Sequence, residues 1–284
     1  MYTYSMLLDE MNFLARNGIE TGSIGSSESG RMIPYLFVGN HIGDCILITA
    51  GIHAREHIGS YLTMRQAEYA LNHADALLAG GIYFIPMINP DGNEIAAKGV
   101  NSERIKNRML LNGLLKNRDC RLYKANANGV DLNVNFDAGW GTGKQNRCIP
   151  GTENYIGAAP FSESETRALR DFTCFTRPAS TVSYHAIGRE LYWEYGQTGK
   201  VRERDERIAF CLNERLGYKI VGDDKSSAGG YKDWCIEKLK IPAFTVELVS
   251  GEHQHPFTDY ADAKEDIARN IDLPIRLLKS LHFL

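Results

Sequence analysis

Two histidines and two glutamates of this 284-residue chain could converge on one point. A short apolar run occupies 45–50, and 181–184 and 243–248 are strand-like. His53 and Glu56 follow the first, His185 follows the second, and Glu247 lies near the end of the third. Open α/β sheets bind ligands at the carboxyl ends of their strands, so polar residues placed there are the ones to weigh. Zinc takes neutral imidazole and carboxylate donors, and a catalytic zinc site uses three of them and leaves a place for water. His53, Glu56 and His185 are three donors of the right type. A histidine three residues before a glutamate is common by chance; the placement after two buried runs singles this pair out. His57 competes with Glu56, because residues four apart share a helical face. The chain is leaving a strand at His53, however, which favours Glu56 and leaves His57 a supporting or packing role. His253 and His255 lie in a loop flanked by Gly and Pro and are weaker candidates.

The elements that must position these residues follow from pattern. Leu7, Met11 and Leu14 recur at helical spacing, and Asn17-Gly18 is a helix stop. The Gly/Ser stretch from Thr21 to Gly30 reads as a loop or hairpin turn before a strand at Ile33–Val38. Cys45–Ala50 and Ile82–Ile88 are continuous apolar runs, as in strands buried on both faces. Asn89-Pro90-Asp91-Gly92 reads as a turn. Helical pattern runs from Glu56 to about Asn72, from a Ser162/Glu165 capping box to Phe172, over Arg202–Leu216, and around Asp262–Asn270 with a break near Pro274. Thr181–Tyr184 and Ala243–Leu248 read as strands. Alternation of this kind predicts a mostly parallel sheet between layers of helices. With no repeat and no linker, residues 1–284 read as a single domain.

Composition excludes several classes. The chain is 43% hydrophobic and 24% charged, ordinary for a globular protein. Thirty-two basic against thirty-five acidic residues give a net charge of -3, which argues against a nucleic-acid partner. No apolar run approaches the roughly 20 residues that span a bilayer, so no membrane insertion is expected. The first residues lack the basic region of a secretory signal, and the six scattered cysteines form no Cys-x-x-Cys pair. Both point to reduced thiols and a cytoplasmic location.

These residues, in this order, resemble the zinc carboxypeptidase family, which includes the pancreatic carboxypeptidases. The matching segments are Gly51-Ile52-His53-Ala54-Arg55-Glu56, Asn89-Pro90-Asp91-Gly92, Gly129–Phe136, Ser183-Tyr184-His185 and Phe244–Leu248. The stretch from Asp131 through Trp140–Gly143 and Asn154–Gly157 to Arg167 looks most like bacterial γ-D-glutamyl-diaminopimelate peptidases, which cleave peptidoglycan stem peptides. The resemblance implies a three-layer α/β/α sandwich around a mixed sheet of about eight strands. It implies one zinc ion held by His53, Glu56 and His185, with Glu247 as the base that takes a proton from water and returns it to the leaving amine. Asp131 matches the carboxylate that orients the first ligand histidine. Arg55 and Asn133 match substrate-contacting positions, although Asn133 could cap a turn and Arg55 could pair with a nearby acid.

Departures from the family pattern bear on the substrate. Val134 stands where carboxypeptidases carry an arginine that clamps a free C-terminal carboxylate. A second arginine, which polarises the scissile carbonyl, falls around 124–128, where this chain offers Lys124, Asn126 and Asn128. Lys124 supplies a point cation without the planar fork of arginine; Asn128 supplies one neutral donor. Lys225 stands at the place of the mobile tyrosine, with Tyr231 nearby in another register. Lys232 matches the floor of the pocket beyond the cleaved bond, where a cation favours an acidic side chain such as that of diaminopimelate, unless it is a solvated surface lysine. The expected activity is hydrolysis of a γ-D-glutamyl-meso-diaminopimelate bond in a muropeptide. The alternatives are a general metallocarboxypeptidase and a zinc-binding module without catalysis; retention of Glu247 argues against the latter.

Overall fold

The computed structural model describes residues 1–284 except 78, 103, 104, 106, 151, 223–227, 258, 259 and 282–284. In chain order its elements are α1 (Tyr4–Arg16), β1 (Glu20–Ser26), β2 (Met32–Gly39), β3 (Cys45–Ala50), α2 (His57–Asn72), β4 (Gly81–Ile85), α3 (Pro90–Lys98), α4 (Arg108–Leu115), α5 (Ser164–Thr176), β5 (Ser180–Gly188), β6 (Glu190–Tyr192), α6 (Gly199–Leu216), β7 (Lys219–Val221), α7 (Tyr231–Trp234), β8 (Ala243–Ser250), α8 (Lys264–Asn270) and α9 (Leu273–Leu281). The strands form one mixed eight-stranded sheet in the order β1-β2-β4-β3-β5-β8-β6-β7. The central pairs β4–β3, β3–β5 and β5–β8 are parallel, whereas β1–β2, β2–β4 and β6–β8 are antiparallel.

Alternation along the central strands divides the core between two faces. Ile46, Ile48, Val182, Tyr184, Phe244 and Val246 pack with Leu62 of α2, Leu212 of α6 and Leu277 of α9. Leu47, Tyr83 and Ile85 point the other way, toward Phe136, Leu169 of α5 and Trp234 of α7. Because side chains alternate across a strand, His185 and Glu247 project toward the second face. Among the described residues no helix is long and apolar enough to cross a membrane.

Four elements differ from the sequence reading. The Gly/Ser stretch is not all loop: β1 pairs with β2 at the sheet edge. An edge strand needs backbone partners on one side only, and small residues let α5 lie close. A Cβ at Gly25 would come 2.8 Å from the Ala168 Cβ. The Asn89-Pro90-Asp91-Gly92 segment opens α3 instead of making a free turn. Asn89 caps it by accepting from the Gly92 N–H, and Pro90 occupies a first-turn position where no N–H is needed. Ser162 does not cap α5; its hydroxyl bonds the Glu163 carboxylate, and Glu165 is fully buried. Pro274 does not simply end a helix but lies in the first turn of α9.

Candidate metal centre

The site lies toward the carboxyl ends of β3, β5 and β8; His185 does not follow its strand as expected but lies inside β5, which runs on to Gly188. Gly51 leaves β3 with φ +63°, and a Cβ there would meet the Ser60 hydroxyl at 2.6 Å, so only glycine fits this sharp exit. The loop carrying His53 then runs to Glu56, the residue just before α2. Asn89 steadies this loop from below: its amide donates to the carbonyls of Ile52 (3.2 Å) and Ala125 (3.0 Å). His185 stands opposite Glu247 in the β5–β8 register.

Three donors converge there. His53 Nδ1 lies 2.8 Å from Glu56 Oε1, and His185 Nδ1 lies 3.1 Å from Glu56 Oε2. The two Nδ1 atoms are 3.2 Å apart, and all three residues are at most 7% exposed. Two ring nitrogens facing each other need a proton or a cation between them, since paired lone pairs repel. Around zinc, nitrogen donors at about 2.0–2.1 Å in a tetrahedron sit about 3.3 Å from one another. Donor chemistry and spacing therefore fit a zinc ion.

The surroundings fix the donors. His53 Nε2 lies 3.1 Å from Asp131 Oδ1; donating there leaves the Nδ1 lone pair for a metal. Asp131 also accepts the Asn133 N–H at 3.0 Å, and its other oxygen is 2.7 Å from Lys124 Nζ. Burial alone would raise the Asp131 pKa, but the Lys124 ammonium and the His53 ring outweigh it and hold the carboxyl far below the usual range. Glu56 is likewise held well below its usual range: burial opposes ionisation, and His53 and His185 prevail. Glu247 goes the other way. Burial, with the nearby Glu56 and Glu190 charges, pushes it up to about 8 against His185 and Lys124. A dication in the site would favour its carboxylate form.

A cavity of about 350 Å³ opens on this centre. His53, Lys124, Asp131, Asn133, His185 and Glu247 line it, together with Val134 and Lys232. Lys124 is held by Asp131 and by Asn154 Oδ1 at 2.8 Å. The Asn133 side-chain oxygen accepts the Tyr231 N–H at 3.3 Å. Lys232 is no solvated surface residue: its ammonium contacts Asp233 (2.6 Å) and the Glu194 carbonyl (2.9 Å). Two expected contacts are not brought to this cavity. Asn128 donates instead to Glu163 at 2.9 Å, and Arg55 pairs with Glu153 at 3.0 Å and lines a neighbouring cavity. His57 bonds the Phe257 carbonyl and the Tyr260 hydroxyl, away from the donors. Tyr231 is buried against Phe136 and Trp234, with its hydroxyl on Thr173. Lys225 lies outside the described residues. Sequence reasoning missed Thr245 and Asp233, which also line the cavity. Thr245 was within reach, because period-two alternation puts it on the same face as Glu247.

The loop carrying Lys124 and Asp131 rests on a buried acidic network. Asn126 accepts the Asn128 and Val130 N–H groups and donates to Glu163 and Glu165. Burial, reinforced by the nearby Asp91 and Glu28 charges, pushes Glu165 up to about 8. The folded chain thus keeps a proton that the unfolded chain releases above the ordinary 4.5. The stability carried by neutral Glu165 is therefore whole below that value and lost as pH rises through about 8. Glu165→Gln, which cannot ionise, should gain melting temperature relative to the parent between pH 5 and pH 9. The stability gain behind it is on the order of a few kcal/mol at most. Calorimetry at both pH values checks this, and a difference that ignores pH would refute it.

Comparison with known proteins completes the picture. The sequence profile described as zinc carboxypeptidase matches residues 4–268. The gamma-D-glutamyl-L-diamino acid endopeptidase 1 of Lysinibacillus sphaericus is 30% identical over 274 residues, covering 91% of this chain and 68% of that protein. Two solved structures share the fold. Bovine thrombin-activatable fibrinolysis inhibitor, in complex with tick carboxypeptidase inhibitor, aligns with a TM-score of 0.75 at 22% identity, covering 98% of this chain and 96% of that one. Murein-tripeptide amidase MpaA from Escherichia coli O157 aligns at 0.53 and 22% identity, covering 90% and 91%. By profile, by relative and by the donor set at the ends of its central strands, this chain belongs to the zinc carboxypeptidase family.

Proposed function

We propose that residues 1–284 form one catalytic domain that hydrolyses the γ-D-glutamyl–meso-diaminopimelate amide of peptidoglycan stem peptides. The observation that carries the chemistry is the meeting of His53, Glu56 and His185, with both histidines and Glu247 lining one cavity. His53, Glu56 and His185 hold the zinc. When bound, zinc polarises a carbonyl oxygen and lowers the pKa of water toward 7. Glu247 takes the proton from the attacking water and delivers it to the departing amine, so one carboxylate is base and then acid. The Lys124 ammonium, fixed by Asp131 and Asn154, faces the same cavity and offsets negative charge developing on the carbonyl oxygen. The Asn128 amide donates to Glu163 instead, which favours Lys124 for that task. Asp131 keeps His53 in the tautomer that a metal needs. Asp131→Asn should weaken zinc binding by about 10- to 100-fold, read by competition with a chelator; unaltered affinity would remove Asp131 from this role.

Three features support the substrate. A relative 30% identical across most of the chain is a gamma-D-glutamyl-L-diamino acid endopeptidase. Val134, on the cavity wall, can neither pair with nor bond a free terminal carboxylate. The far end of diaminopimelate bears both an ammonium and a carboxylate, and the cavity lining includes the Lys232–Asp233 ion pair, which offers both charges. The exposed free thiols of Cys148, Cys174 and Cys211 suit a reducing compartment, so the proposed place of action is the cytoplasm, on wall fragments. The test supplies L-Ala-γ-D-Glu-meso-diaminopimelate beside peptides ending in ordinary amino acids. The tripeptide should be preferred by about 100-fold or more in kcat/KM. The reverse preference would leave a general carboxypeptidase, and no hydrolysis of either would leave a metal-binding module.

A further inference from the structure

A second cavity, of about 500 Å³, lies beside the first, and Lys124 lines both. Leu114 and Leu115 at the end of α4, with Leu122 and Tyr123 beyond it, form its apolar walls. Its two acids are already engaged: Glu153 with Arg55 at 3.0 Å, and Asp119 with Arg121 at 2.6 Å. Arg118 also lines it, is exposed, and has no ion-pair partner among the described residues. The cavity thus combines small-group apolar walls with an uncompensated guanidinium, next to the point where a carbonyl would be attacked.

That combination suits an acyl group with a carboxylate a few bonds from its reacting carbonyl. An ordinary peptide has one there only when an aspartate or glutamate precedes the cleaved bond. A γ-linked glutamyl residue keeps its α-carboxylate free, four bonds from the carbonyl carbon, and the alanine before it adds one methyl group. We propose that the second cavity is the acyl-side subsite, that its walls receive the L-alanyl-γ-D-glutamyl portion, and that Arg118 pairs with the free α-carboxylate. This rests on the peptidase reading above and adds to it a residue that selects an acyl group bearing a free carboxylate. Charge-assisted pairing to a guanidinium favours the carboxylate over its neutral amide, and at an exposed arginine the preference should shrink with salt.

The experiment uses the zinc-loaded enzyme and two tripeptides that differ at one group: L-Ala-γ-D-Glu-meso-diaminopimelate and its γ-D-isoglutamine counterpart, in which the α-carboxylate is an amide. The parent enzyme should favour the carboxylate by about tenfold or more in kcat/KM, mainly through KM. Arg118→Ala should bring the ratio close to one while cleavage of the isoglutamine peptide and the zinc content stay unchanged; Arg118→Lys should keep part of the preference. Equal cleavage of both peptides by the parent, or an unchanged ratio in Arg118→Ala, overturns this inference and leaves the peptidase reading standing. If neither peptide is cleaved, that reading fails and takes the inference with it.

Discussion

Glu247→Gln is expected to keep its zinc and lose at least about 10³-fold in kcat. Glutamine preserves the shape of the side chain but can neither accept the proton of water nor hand one to the amine. Proton transfer by a positioned group is worth about 10²–10⁴ in rate, and one residue serving both halves of the reaction belongs at the upper end. Metal content measured beside kcat separates this loss from loss of the ion. Near-normal turnover at full zinc occupancy would show that the proton goes elsewhere. The parent rate should fall as pH drops through the Glu247 pKa of the loaded enzyme. That value should lie below the 8 that burial imposes, because a dication nearby favours the carboxylate.

His185→Ala is expected to cost about 10²–10³-fold in zinc affinity, and activity at limiting zinc with it. Four-ligand zinc sites bind with about 10–16 kcal/mol, so one donor is worth about 3 kcal/mol or more. The substitution removes one of the two facing Nδ1 atoms and leaves Glu56 Oε2 with the Ala186 N–H as its partner. His57→Ala is the control. Its ring bonds Phe257 and Tyr260, so it should alter stability and leave zinc affinity as it was. Chelator competition on both variants tests the pair; equal losses would mean that the assignment of donors between Glu56 and His57 is wrong.

How much of this was legible beforehand depends on the range of the forces involved. The buried central strands announce themselves as uninterrupted apolar runs because both faces are covered, and a strand exit after such a run tells where ligands sit. Short strands such as β6 and β7, three residues each, carry too few side chains for a pattern. Nothing local says that β3 and β5 become neighbours with α3, α4 and α5 between them in sequence; resemblance to a known family supplied that. Lys124 was named for its charge, but its pairing with Asp131 belongs to a loop that Asn126 braces from within and that Asn89 ties to the His53 loop. Arg55 adjoins Glu56 in sequence yet serves another cavity, since the chain turns between strand and helix and sends consecutive side chains apart.

The gathering of the donors from β3, the start of α2 and β5 has a thermodynamic corollary. His53 and His185 are 132 residues apart, and their strands pair in parallel, so the unfolded chain has no comparable place for the ion. Anything that binds only the folded form stabilises it by mass action, by about 2.7 kcal/mol when free ligand is a hundredfold above its dissociation constant. The melting temperature should then track the logarithm of free zinc, and heat resistance becomes a property of the metal supply as much as of the polypeptide.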